Sequence, residues 1–142
     1  MEYMNDGQNY IVRIDKDENL FEKLIEFAKK ENLTSGHISG IGALKDVELG
    51  FYHLDKLEYH KKKFTDDYEL LGLEGNLSHM DGEPFFHIHA TLGDSEFKAF
   101  GGHVFDATVA VTCEVNFRVF DELVERKLNS CIGLKHLELR RI

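Results

Sequence analysis

The 142-residue sequence is poor in cysteine and proline, and each scarcity excludes a class of structure. The two cysteines, Cys113 and Cys131, do not form a Cys-x-x-Cys motif, so neither a disulfide framework nor a cysteine-based zinc motif is expected. We predict two reduced thiols in a cytosolic protein. The single proline, Pro84, is predicted at the start of a strand, where its missing N–H is tolerated.

Long apolar runs and excess positive charge are also missing. No apolar run approaches the roughly 20 residues that a transmembrane helix needs, and the polar segment Met1–Gln8 lacks the pattern of a signal peptide. We therefore expect a cytoplasmic protein without a membrane partner. With 17 basic and 26 acidic residues, the net charge of −9 disfavours non-specific nucleic-acid binding. The basic run Lys61–Lys63 is predicted to be a solvated strand edge.

The length favours one domain, which we predict over residues 10–142 after a flexible N-terminal lead over residues 1–9. Tyr10–Ile14 is predicted to be a strand. Asp15, with Glu18 three residues later, is predicted to cap a helix that ends near Glu31. The residues spaced for the core-facing stripe of this helix are Leu20, Phe21, Leu24, Ile25 and Ala28.

After the helix the sequence predicts a series of strands. The glycine-rich segment Ser35–Gly42 follows a helix instead of opening one, which favours close backbone packing or a bulge over a phosphate-binding loop. Asp81-Gly82 predicts a hairpin turn, and a second turn is predicted near residues 93–95. A helical turn is predicted over residues 119–126. The predicted strands cover residues 47–54, 57–64, 68–79, 84–92, 96–105, 107–118 and 127–140.

This order predicts an α+β fold, a mostly antiparallel sheet or partly closed barrel with one main helix. Neither face of Phe85–Leu92 carries a charged side chain, which indicates a strand covered on both sides. One helix cannot cover both faces of a large sheet. Barrel closure or another subunit must therefore cover the second face.

The chemically informative residues are three histidines. His87 and His89 are two residues apart in a predicted strand, so both imidazoles leave the same face. A three-residue loop at 93–95 places His103 on that face, one step along from His87. A two-residue loop places it on the opposite face unless Gly101-Gly102 forms a bulge. Three histidines with an open position are typical of a catalytic zinc site, although histidines in sheets are also common as hydrogen-bonded packing residues.

Other candidate residues are assigned as follows. Glu114 is a candidate fourth ligand, and Glu74 or Glu114 could move protons in an enzyme. Cys113 is predicted to be a core residue, on one face with Val109, Val111 and Val115. His37 is predicted to stay apart from the three-histidine site. The histidines predicted at the surface are His53, His60, His79 and His136.

Several motifs together resemble the plant and prokaryote conserved (PPC) domain, over about residues 10–136. They are Ile38-Ser39-Gly40-Ile41-Gly42-Ala43, Tyr68-Glu69-Leu70-Leu71, Leu73-Glu74-Gly75-Asn76, Phe86-His87-Ile88-His89-Ala90, Gly101-Gly102-His103 and Cys113-Glu114-Val115. The resemblance implies a mixed α/β fold that assembles as a homotrimer. In plants this domain follows AT-hook segments in nuclear DNA-binding proteins, whereas this sequence has no Arg-Gly-Arg-Pro core.

The fold also looks like that of acetolactate decarboxylase, in which a His-x-His pair and a later histidine bind zinc. That likeness implies metal ligation by His87, His89 and His103. We therefore expect a homotrimeric module that binds a divalent metal, with zinc as the expected ion, and that takes a small ligand or a partner. The alternatives are a zinc-dependent enzyme acting on a small carbonyl acid and a DNA-binding regulator.

Overall fold

The computed structural model describes residues 1–7 and 9–139, which form one large, mostly antiparallel sheet and a single α-helix. The nine strands are β1 (Glu2–Asn5), β2 (Asn9–Asp15), β3 (Ser35–His53), β4 (Glu58–Phe64), β5 (Tyr68–Met80), β6 (Glu83–Gly93), β7 (Ala99–Phe120), β8 (Glu125–Asn129) and β9 (Leu134–Glu138). The helix α1 (Leu20–Lys30) follows β2. The α+β class and the single main helix are therefore confirmed.

Four strands close on one another as a ring. β3 pairs with β5, β5 with β6, β6 with β7, and β7 returns to β3. β3 and β7 are long strands, and the bulges that interrupt their shared register allow them to bend around the core. The long β7 replaces the two strands predicted over residues 96–105 and 107–118. β4 lies outside the ring on β3, and β1 and β2 continue the sheet from β7.

The ring encloses the apolar core. Phe86, Ile88, Ala90 and Leu92 all point inward, which confirms the core face predicted for this strand. The helix packs against β6 and β7 and closes the core. Its fully buried residues include Phe27, whose ring meets Phe117 edge-on at 5.8 Å, whereas the predicted Phe21 and Ile25 are only partly buried.

The helix begins later than the sequence predicted. Asn19 is the N-cap, and its side chain accepts a hydrogen bond from the backbone N–H of Glu22. Asp15 instead ends β2, and its N–H donates to the Glu18 carboxylate at 2.9 Å. The pair that resembles a capping box therefore stabilises the turn before the helix.

Both ends of the chain differ from expectation. Instead of a flexible lead, Glu2–Asn5 forms the edge strand β1, and Tyr3 packs on Phe27 while its hydroxyl donates to Glu31. The predicted helical turn over 119–126 is the end of β7 followed by a bend, and the tail forms the hairpin β8–β9. Position 8 of the predicted lead and positions 140–142 of the predicted last strand and domain lie outside the described residues.

The turns on either side of β6 set the strand registers. Asp81 and Gly82 have φ values of 54° and 85° and join Met80 directly to Glu83, so the predicted two-residue hairpin is confirmed. The turn after β6 spans residues 94–98 and is longer than predicted.

Cys113 is buried as expected, but Val111, predicted on the same core face, is 67% exposed. The described helix is too short to cross a membrane.

Candidate functional site

The three predicted histidines come together on the outer face of the ring. His89 lies directly opposite His103 in the β6–β7 ladder, and His87 is two residues from His89 on the same face. Their ring centroids are 5.0–5.4 Å apart. One nitrogen from each ring lies within 4.8 Å of the others, and no carboxylate or thiol of the described residues joins this set.

The register that assembles the cluster differs from the predicted one. A three-residue loop would have placed Gly101, not His103, opposite a histidine of β6, whereas the observed turn moves the pairing along by four residues. An even displacement leaves every side chain on its face of the sheet, because strand side chains alternate with period two. The three histidines therefore share one face as predicted, although the loop is longer than the predicted one.

Aromatic side chains bury part of this cluster, which we call the His cluster. The Tyr59 ring of β4 lies 5.2 Å from the His103 ring, and the Phe105 ring lies 4.7 Å from His103 and 4.8 Å from Tyr59, so the three rings pack together. His87 and His103 are half-buried, and His89 is exposed. Nδ1 of His103 is buried with no hydrogen-bond partner among the described residues. An orphaned buried nitrogen costs about 1–3 kcal/mol, so this atom is poised to take a ligand.

Burial also fixes the protonation of two rings. Desolvation lowers the pKa of His87 and of His103 to about 4, and the charge of Arg126 acts in the same direction on both. Neutral imidazole nitrogens are the form that binds a metal ion. A tetrahedral zinc ion bound at about 2.0–2.1 Å from each nitrogen holds its ligand nitrogens about 3.3 Å apart. Small rotations of the three side chains would bring their nitrogens, now within 4.8 Å of one another, to this spacing.

One side of the cluster opens into a groove with few side chains. Gly72, Gly101 and Gly102 line it together with Glu74 and His89. Glu74 lies directly across the β5–β6 ladder from His89, and its Oε2 is 3.0 Å from Nε2 of His37. A carboxylate therefore stands beside the open side of the cluster, outside its set of nitrogen donors.

The remaining predicted candidates lie elsewhere. Glu114 faces outward beside Arg13 and Ile41, lining a different surface, so it is not part of the cluster. His37 contacts Glu74 and not the three rings. His79 is half-buried, with Nε2 3.2 Å from the Leu33 carbonyl, in contrast to its predicted surface position. The His53 ring stacks at 6.3 Å on His60, and His60 and His136 are exposed.

Sequence reasoning missed the residues that surround the cluster. Arg126 of β8 donates to the Ser78 hydroxyl and to the Asn76 side chain, and Asn76 lies opposite His87. Tyr59 arrives from the hairpin partner of β3. Neither Arg126 nor Tyr59 belongs to a recognisable sequence motif. The pairing of β4 with β3 and of β8 with β5 brings these two side chains to the cluster.

The match to a family model decides how the chain is classified. The model of the Plants and Prokaryotes Conserved (PCC) domain matches residues 1–121. The chain belongs to this family. The resemblance read from the glycine and histidine motifs is confirmed, and the PCC domain includes the residues of β1 that the sequence analysis had placed before the domain.

Solved structures support the same family. A metal-containing protein from Archaeoglobus fulgidus is 34% identical with a TM-score of 0.87, covering 97% of each chain. A PPC protein from Pyrococcus horikoshii is also 34% identical, with a TM-score of 0.86, covering 99% of this chain and 96% of its own. A candidate DNA-binding protein from Bacteroides thetaiotaomicron is 31% identical with a TM-score of 0.93, covering 99% of this chain and 98% of its own.

A more distant structure shares the fold alone. Acetolactate decarboxylase from Bacillus subtilis is 20% identical with a TM-score of 0.57, and the match covers 82% of this chain and 54% of the enzyme. The expected likeness to this enzyme is therefore confirmed for the fold. No curated protein matches the chain.

We expect the protonation state of the cluster to be measurable directly. In chelator-treated protein, the rings of His87 and His103 should titrate near pH 4 instead of the ordinary 6.5. The unfolded chain takes up these protons below about pH 6.5 and the folded chain does not, so the free energy of unfolding should fall as the pH drops toward 4. Histidine side-chain NMR gives both midpoints, and values near 6.5 would contradict the buried arrangement.

Proposed function

We propose that this PCC-domain protein is a homotrimeric module that binds one divalent metal ion per chain through His87, His89 and His103, with zinc as the expected ion. A bound zinc ion would act as a Lewis acid toward an oxygen ligand in its open position. The module would serve to bind a small ligand or a partner at that position. The observation that carries the proposal is the group of three imidazole nitrogens, one from each ring, that lie within 4.8 Å of one another.

Three further features support the metal. The two half-buried rings are neutral at physiological pH, as ligands must be. All three donors are imidazoles, which suit zinc better than calcium or magnesium. A relative with 34% identity over nearly the whole chain is named a metal-containing protein.

The metal proposal predicts a sharp loss in one variant. His89→Ala should lower the metal content of purified protein from about one ion per chain to near zero, because it leaves two of the three protein ligands that an open zinc site uses. Elemental analysis after dialysis against zinc measures this content.

His53→Ala is the matched control, since His53 is a histidine of β3 outside the cluster. It should bind as much metal as the unmodified chain. Equal metal content in His89→Ala and in the control would refute the three-histidine site, provided that both variants show the native circular dichroism spectrum.

The outer face of the sheet supports the trimer. Four exposed aliphatic side chains lie on four consecutive strands, β1, β2, β7 and β3, and they are Met4, Ile11, Val111 and Ile41. Ile41 is 58% exposed although its strand is in the middle of the sheet. Exposed aliphatic residues on neighbouring strands favour a surface that another subunit covers, with Asn116 and Glu114 of β7 lying between Ile11 and Ile41.

We expect light scattering to give three times the chain mass for the unmodified protein. Ile41→Glu should shift the mass toward that of one chain, because it places a charge in the apolar contact. Leu128→Glu, at a leucine of β8 that is 67% exposed, should leave the trimer intact. A monomeric unmodified protein would contradict the trimer and would leave the metal experiment unaffected.

DNA binding is a second candidate, because relatives from Bacteroides thetaiotaomicron and Ralstonia eutropha, 31% and 25% identical, are named candidate DNA-binding proteins. The net charge of −9 argues against it. We expect no binding of a mixed-sequence duplex in fluorescence anisotropy at about 50 mM salt. Binding that weakens by several orders of magnitude toward about 200 mM salt would favour this second candidate.

A further inference from the structure

The charges around the His cluster are unbalanced. The cluster contains three imidazoles and no carboxylate, so its nitrogens would leave the charge of a divalent ion uncompensated. Apart from the other two histidines, the charged side chains that lower the pKa of His103 are Lys61 and Arg126, and both are positive. Lys61 lies 3.6 Å above the Phe105 ring, next to His103. Glu74, beside His89, is exposed and already contacts His37.

Arg126 contacts residues that flank the cluster. Its Nη2 donates to Oδ1 of Asn76 at 2.9 Å, and Asn76 lies directly opposite His87. Its guanidinium carbon is 5.1 Å above the ring of Phe85, which is two residues before His87 on the same face. Arg126 thus lies over the row of side chains that leads into the cluster.

The guanidinium of Arg126 is held in place without a carboxylate. Nε donates to the Ser78 hydroxyl at 2.8 Å, and Nη1 donates to the Lys135 carbonyl at 3.2 Å. A guanidinium has five N–H donors, so these contacts and the one to Asn76 leave two without a partner among the described residues. A half-buried guanidinium that no carboxylate neutralises can still form charge-assisted hydrogen bonds with an anion.

Tyr59 borders the cluster beside His103. Its ring lies 5.2 Å from the ring of His103, and burial raises the pKa of its hydroxyl, which is therefore uncharged and can donate a hydrogen bond. Arg126 is close enough to Tyr59 that its positive charge acts on the pKa of the Tyr59 hydroxyl, against the larger effect of burial. Two donors from separate strands, β4 and β8, thus border the same rings.

We infer that the His cluster binds a small carboxylate, with one oxygen in the open position of the metal and the carboxylate oriented by Arg126, assisted by the Tyr59 hydroxyl. This inference rests on the metal site proposed above and adds the chemical class of its ligand. The glycine-lined groove beside His89 is the route by which such a ligand would enter.

Glycolate and glycolamide form a matched pair of probes, because they differ mainly in the charge of the group that Arg126 would contact. Calorimetric titration of zinc-loaded trimer should give an affinity for glycolate at least about tenfold higher than for glycolamide, as expected for a charge-assisted contact. Arg126→Gln should remove most of this difference by weakening glycolate alone. Arg126→Lys should keep part of it, since the charge remains without the planar fork.

Lys127→Gln is the control, because it removes a positive charge from the neighbouring position of β8, where Lys127 pairs with Glu138. It should bind glycolate like the unmodified protein. Metal content is measured on every sample before titration. Zinc-loaded protein that binds both probes equally, or an Arg126→Gln variant with undiminished glycolate affinity, would overturn the carboxylate inference alone. Unmodified protein that takes up no zinc would overturn the metal site and this inference together.

Discussion

The pairing of His89 with His103 across β6 and β7 is the constraint on which the site depends. It fixes which side chains share the outer face, because partners in an antiparallel ladder point to the same side. The turn over residues 94–98 maintains this pairing: the Asp94 side chain accepts hydrogen bonds from the N–H groups of Glu96 and Lys98. A slip by one residue would turn His103 into the core and expose Val104, at a large cost in apolar burial.

The glycines near the histidines have a role in packing rather than in binding. A Cβ on Gly101 would lie 2.2 Å from the Ala90 carbonyl oxygen, and one on Gly75 would lie 2.3 Å from the carbonyl oxygen of His87. Side chains at these positions would push apart the strands that carry the cluster. The Gly-Gly-His motif therefore reflects close approach of β6 and β7, and the same lack of side chains opens the groove beside His89.

Much of the fold and the centre of the site could be predicted because both depend on alternation along single strands. The inward set Phe86, Ile88, Ala90 and Leu92 and the outward pair His87 and His89 follow from one period-two pattern. Strand continuity was harder, since Asp106 separates the two strands predicted over residues 96–105 and 107–118 but lies inside β7. β1 was missed because four residues carry too little pattern, although Tyr3 packs firmly on Phe27.

The wall of the site could not be predicted, because it comes from elements with no local signal. Arg126 reaches the cluster only because a single parallel bridge, His79 to Glu125, brings β8 to the edge of β5. The guanidinium loses hydration there and gains no carboxylate, only the hydroxyl of Ser78, the amide of Asn76 and a backbone carbonyl. Burying a cation without a counter-ion is unfavourable. An anion that arrives later would balance this charge, and the neutral imidazoles of His87 and His103 beside it supply none.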